Sequence, residues 1–132
     1  MGIKKISESL TKENRIAIVG VSVNSKKWGR KIFEKLKADN FCVYPINPKY
    51  KKIGKDVCYP NLRSLPEKPA IVITVVSPKI TERIAEECKK LGITKIWMQP
   101  GSESDKAITF CRDNNIEASF NTCFVMNSKE GN

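Results

Sequence analysis

The sequence predicts an α/β fold: an open, doubly wound parallel sheet of five strands in the order 3-2-1-4-5, with helices on both faces. Three observations predict it. Apolar, β-branched runs alternate with stretches at helical spacing, giving β-α-β-α-β-α-β-α-β. The runs are almost continuously apolar, which a sheet covered on both sides requires. The 132 residues match the size of one domain.

Residues 1–14 read as an N-terminal arm or short helix, and residues 15–132 as the domain. RIAIVG is a strand ending in glycine. Trp28, Ile32, Phe33 and Leu36 recur at helical spacing, and Asp39-Asn40 ends that helix. FCVYPINP is the second strand, with Pro45 placed to stop it. YPNLRSLP suits one short helical turn between prolines. IVITVV is the strongest strand signal. Ser77-Pro78 then supplies an N-cap and first helical position. Ile80, Ile84, Ala85, Cys88 and Leu91 form a helical stripe that Gly92 closes. KIWM is the fourth strand. Ser102 is placed to cap a helix through Cys111, and residues 116–120 form the fifth strand.

Composition narrows the chemistry. There is no histidine, which excludes Ser-His-Asp triads, Cys-His dyads and histidine metal sites. The five cysteines form no CxxC pair and are widely spaced, against zinc or a disulfide framework, so most should be small buried hydrophobes. No metal site and no catalytic set is expected. No apolar run reaches the roughly 20 residues of a membrane span, and the N-terminus has no signal-like apolar stretch. A cytoplasmic location, with no membrane partner, is the expectation. The net charge is +10, but the lysines are scattered among acids and not interleaved with aromatics, which disfavours nucleic acid.

In an open parallel sheet, ligands bind beyond the carboxyl ends of the strands where the order reverses. The first such loop, Gly20-Val21-Ser22 through Lys27-Trp28-Gly29, offers a tight turn, polar groups and a helix N-terminus that favours an anion. It is neither G-x-G-x-x-G nor a P-loop. The second, Asn47-Pro48-Lys49-Tyr50-Lys51-Lys52, lacks the acid an NAD ribose would need. Its lysines suit a ribose carrying a phosphate: coenzyme A with its 3′-phosphate, or NADP with its 2′-phosphate. The third loop, Val75-Val76-Ser77-Pro78, lies where an adenine or a linker could pass, or else is core strand at Val75 and Val76 and a helix cap at Ser77. The fourth, Gln99-Pro100-Gly101, combines an amide with a glycine turn, either for an amide-rich ligand arm or as a plain surface turn. Cys123 follows the fifth strand and is either packed or beside a ligand thiol.

These motifs occur in a particular order: Val-Gly-x-Ser, Lys-x-Gly, Val-Tyr-Pro-x-Asn-Pro-Lys-Tyr, Cys-Tyr-Pro-x-Leu-x-x-Leu-Pro, Val-x-x-Pro and Trp-Met-Gln-Pro-Gly. The order resembles the small single-domain CoA-binding proteins, Rossmann-like relatives of the CoA-binding domain of the succinyl-CoA synthetase α subunit. The resemblance covers residues 15–126. It implies CoA or acyl-CoA as ligand, with Gly20, Val21 and Ser22 at the diphosphate. Lys27, Trp28 and Gly29 match the Lys-x-Gly, and Asn47, Pro48 and Lys49 fall at the adenosine end. Val76, Ser77 and Pro78 would lie beside the nucleotide; Gln99, Gly101 and Cys123 match the remaining positions. The expected function is non-catalytic binding in a carrier, sensor or regulatory role, as monomer or homodimer. The alternative is an NADP-binding reductase or another nucleotide-binding protein of this fold.

Overall fold

The computed structural model describes residues 14–120. The elements run β1 (Arg15–Val19), α1 (Trp28–Ala38), β2 (Cys42–Ile46), β3 (Lys52–Ile53), β4 (Asp56–Val57), a 3-10 turn (Leu62–Ser64), β5 (Ile71–Thr74), α2 (Pro78–Leu91), β6 (Lys95–Met98), α3 (Asp105–Asp113) and β7 (Glu117–Ser119). The arm expected over residues 1–14 lies, but for Asn14, outside the described residues, as does Cys123.

The five long strands form one parallel sheet in the order β2-β1-β5-β6-β7. Counting only these strands, the order is 2-1-3-4-5, not the expected 3-2-1-4-5. The third long strand, β5, sits between β1 and β6 rather than outside β2. Pro45 accounts for much of this. It has no N–H, so its strand belongs at an edge. β2 runs straight through Pro45 to Ile46 instead of stopping there, with one neighbour in the sheet. All four residues of β5 are buried, as a central strand requires.

The chain moves one way from β1 to β2 and the other way from β5 to β7. Right-handed crossovers then place α1 on one face and α2 with α3 on the other. Alternate strand residues divide accordingly. Ile16, Ile18, Ile71, Ile73 and Trp97 pack with Ile32, Phe33 and Leu36 of α1. Ala17, Val19, Val72, Ile96 and Met98 pack with Ile84, Ala85 and Cys88 of α2 and with Ala107 and Cys111 of α3.

Local signals explain most boundaries. α1 ends where Asn40 turns left-handed at φ 70°, with the Phe41 N–H bonded to the Leu36 carbonyl. Gly92 ends α2 in the same way at φ 77°. Ser77 occupies the N-cap position of α2 without a side-chain bond. Ser104, not Ser102, caps α3, accepting from the Ala107 N–H at 3.2 Å. The antiparallel pair β3–β4, turned by Gly54, lies between β2 and the 3-10 turn.

Candidate functional site

The strand order reverses between β1 and β5, so the crevice opens where Gly20 and Val75 end these strands. Gly20 is fixed by geometry. Its φ is +106°, and a Cβ there would collide with the Val75 carbonyl oxygen and come within 2.9 Å of Val76 Cγ1. Gly29 is fixed by the same turn: its Cβ would lie 2.5 Å from the Gly20 carbonyl oxygen. The first turn of α1 thus rests directly on the β1 turn. That contact aims the helix N-terminus into the crevice.

This N-terminus is electrically open. Lys27 at the N-cap provides no side-chain acceptor, and the first turn contains no acid. The partial positive charge of the leading N–H groups is not offset by a carboxylate. The preceding loop holds itself in shape. Ser22 Oγ accepts from the Asn24 N–H at 3.0 Å, and Asn24 Oδ1 accepts from the Lys26 N–H at 2.9 Å. Arg30 braces it from below, donating to the Val23 carbonyl at 2.9 Å while its Nε pairs with Glu34 at 2.7 Å. The resemblance puts Ser22 at the diphosphate. Its oxygen serves the loop, and its hydroxyl proton remains the group it has to give.

Asn47 joins the second loop to the first. Its Nδ2 donates to the Val21 carbonyl at 2.9 Å, and its Oδ1 accepts from the Lys49 N–H at 2.9 Å. Its backbone N–H bonds to the Tyr59 carbonyl, which closes the outer edge of β2. Beneath it, the buried Cys58 thiol donates to the Asn47 carbonyl at 3.6 Å, and burial pushes the thiol pKa up. Cys58 is therefore a packing residue.

The two loops enclose a cleft of about 390 Å³. The first loop contributes Gly20, Ser22, Lys27, Trp28 and Gly29. The second contributes Asn47, Lys49 and Tyr50, and β5 contributes Val75. Among the described residues, no carboxylate lines it. The acids closest in sequence are engaged elsewhere, Glu34 with Arg30 and Asp56 with Lys37. The walls thus combine two lysines, an uncapped helix start and two aromatic rings.

Among the described residues, the other predicted positions do not line this cleft. Val21 is buried and contributes its backbone. Pro48 is exposed on the rim. Val76 packs against Gly20, while Ser77 and Pro78 are exposed at the start of α2. Gln99 is fully buried rather than a surface glutamine. Its carbonyl accepts from both the N–H and the hydroxyl of Ser102, and that hydroxyl also contacts Thr74. Gly101 is exposed at φ +95°, its N–H bonded to Glu103. Sequence reasoning did not single out Arg30, and it placed Tyr50 and Val75 in site loops without naming them as binding positions. The i, i+4 spacing of Arg30 and Glu34 was the available signal for Arg30. Among the described residues no group of three His, Cys, Asp or Glu side chains is placed to hold a metal. No helix among them is long and apolar enough to cross a membrane.

A doubly wound parallel sheet with a cation-walled cleft at its switch point defines a Rossmann-like α/β protein. The sequence profile of the CoA binding domain matches residues 14–129, and the chain belongs to that family. It is 36% identical over 78 residues to the ADP-forming acetate–CoA ligase I of Archaeoglobus fulgidus, a match covering 59% of this chain and 11% of that protein. The chain thus spans about a tenth of that curated relative. A conserved hypothetical protein from Pyrococcus furiosus superposes with a TM-score of 0.81 at 37% identity, covering 85% of this chain and 97% of that one. A hypothetical protein from Pyrococcus horikoshii gives 0.89 at 26% identity, covering 97% and 88%.

Proposed function

We propose that the protein binds coenzyme A, free or acylated, in the cleft between the loops after β1 and β2, as a non-catalytic carrier, sensor or regulatory component. The observation that carries this reading is the pairing of an uncapped helix start with Lys49 across an acid-free cleft. A ligand with a diphosphate and a separate ribose phosphate matches two such positive positions. The α1 N–H groups would take the diphosphate, and Lys49 the 3′-phosphate. Family membership supports CoA as that ligand. The loops after β5 and β6, including Ser77, Pro78, Gln99 and Gly101, would flank the distal arm by position.

The residues themselves support a non-catalytic role. Among the described residues, the cleft lining contains no histidine, cysteine or carboxylate to serve as nucleophile or general base. The ligase activity of the curated relative belongs to a protein of which the match covers 11%.

Thermal unfolding with CoA, acetyl-CoA, dephospho-CoA, NADP and NAD tests the reading. CoA at about 100 times its Kd should add about 2.7 kcal/mol of stability. The expected pattern is a rise with CoA, a smaller rise with dephospho-CoA and none with NAD. A rise with NADP alone would replace CoA by a reductase cofactor.

A further inference from the structure

Trp28 separates itself from the other large apolar side chains at the surface. Val23, Trp28, Val57 and Ile80 are each more than 40% exposed among the described residues. Scattered exposed hydrophobes are ordinary on a protein surface. Of these four, Trp28 alone lines the acid-free cleft. It is 45% exposed there, whereas Trp97 is fully buried in the core. Its ring already attracts a cation, with Lys31 Nζ 5.8 Å from the centroid.

The facing wall differs in kind. Tyr50 also lines the cleft, but it packs against the α1 face of the core and is held there. Trp28 stands at the first position of α1, where the inward residues are Gly29, Ile32, Phe33 and Leu36. The indole therefore has no seat in the core. Its large flat surface is available to a flat partner, and Lys49 across the cleft is available to a phosphate on the same partner.

Building on the CoA reading, we infer that Trp28 is the stacking platform for the purine base, and that the site selects its ligand through the adenosine 3′,5′-bisphosphate end. A base stacked on an aromatic side chain contributes through its π-face as well as through buried area. A pantetheine arm has no flat ring to offer such a surface. Affinity should therefore survive removal of the arm and fail on removal of the aromatic ring.

The test uses the full chain and two ligands, CoA and adenosine 3′,5′-bisphosphate, with calorimetry and tryptophan emission. Trp97 gives a constant background because it is fully buried. Both ligands should quench the emission, and Trp28→Phe should abolish the quench while keeping most of the affinity. Trp28→Ala and Trp28→Leu should each weaken both ligands by roughly tenfold or more, the range expected for one lost stacked base. Leucine keeps the apolar bulk and removes the ring, so it separates stacking from simple covering. Leucine binding as well as phenylalanine, or all three variants binding like the parent, would overturn the assignment while leaving CoA binding intact. CoA binding without any binding of the bisphosphate would overturn it too. A parent protein that binds neither ligand would overturn the CoA reading itself.

Discussion

The N-termini of α1 and α3 both point to the carboxyl edge of the sheet, yet they are finished in opposite ways. At α3, Ser104 accepts from the Ala107 N–H, Asp105 lies in the first turn, and Glu103 takes the Gly101 N–H. The chain has supplied its own anions and acceptors. At α1 the cap is Lys27, with no side-chain acceptor and no acid. A closed start secures the fold, whereas an open one is left for an external anion. The difference lies in three or four side chains, not in the geometry of the sheet.

The largest effect should come from the turns that present these two starts. Gly20→Ala forces a Cβ into the Val75 carbonyl at a φ of +106°. It should cost about 3 kcal/mol or more in denaturant unfolding, since overpacking and backbone strain combine. Gly101→Ala meets nothing within 4 Å and carries only the left-handed strain, about 1–2 kcal/mol. Similar losses at the two glycines would mean that the close approach at Gly20 is relaxed in solution.

Charge reversal at the open start comes next. Lys49→Glu should lower CoA affinity by roughly tenfold or more, and dephospho-CoA affinity by much less, because only the former carries the ribose phosphate. An equal loss in titration calorimetry would remove the 3′-phosphate from Lys49. Exchanging the finishes is subtler. Lys27→Asp gives α1 the cap it lacks and should raise stability by about 0.5–1 kcal/mol while weakening CoA. Ser104→Ala should cost about 1 kcal/mol of stability and leave CoA binding unchanged. CoA binding that responds equally to both changes would erase the distinction between the helices.

The legible parts of the sequence were those decided locally. β1, β5 and β6 are apolar runs, and α1 and α2 end at Asn40 and Gly92, whose left-handed turns are local chemistry. Strand order depends on which edges meet, and Pro45 was its one local clue. Read alone, Pro45 suggests a strand stop, whereas in the fold it marks an edge. β3 and β4 have two residues each and include charged residues, so no periodicity could reveal them. In the site, the glycine turn and the lysine loop were legible because their chemistry is in the residue type. Arg30 was not, because its work is done on carbonyls of its own loop. Ser102 and Ser104 are both plausible caps by composition, and only packing sends Ser102 inward to Thr74.

The smallest predicted effect lies away from the cleft, in the face that α3 covers. Burial raises the Cys111 thiol from 9.0 to about 11, so the folded state keeps it neutral after the unfolded chain has begun to ionise. This contribution is complete below pH 9 and is lost as pH rises toward 11. Denaturant midpoints from pH 7 upward should fall more steeply for the parent than for Cys111→Ala, even though the variant is less stable at neutral pH. Parallel curves would show the thiol to be solvated.

The amide of Asn47 has a further consequence. By bonding to Val21 on one side and to the backbone of Lys49 on the other, it makes the two walls of the cleft a single body. Two independent loops would each lose conformational freedom when a ligand arrived. Here that entropy is surrendered during folding, so a ligand meets a cleft whose width is already set. A loosened hinge at Asn47 would register as a slower, temperature-sensitive association before it registered as a missing contact.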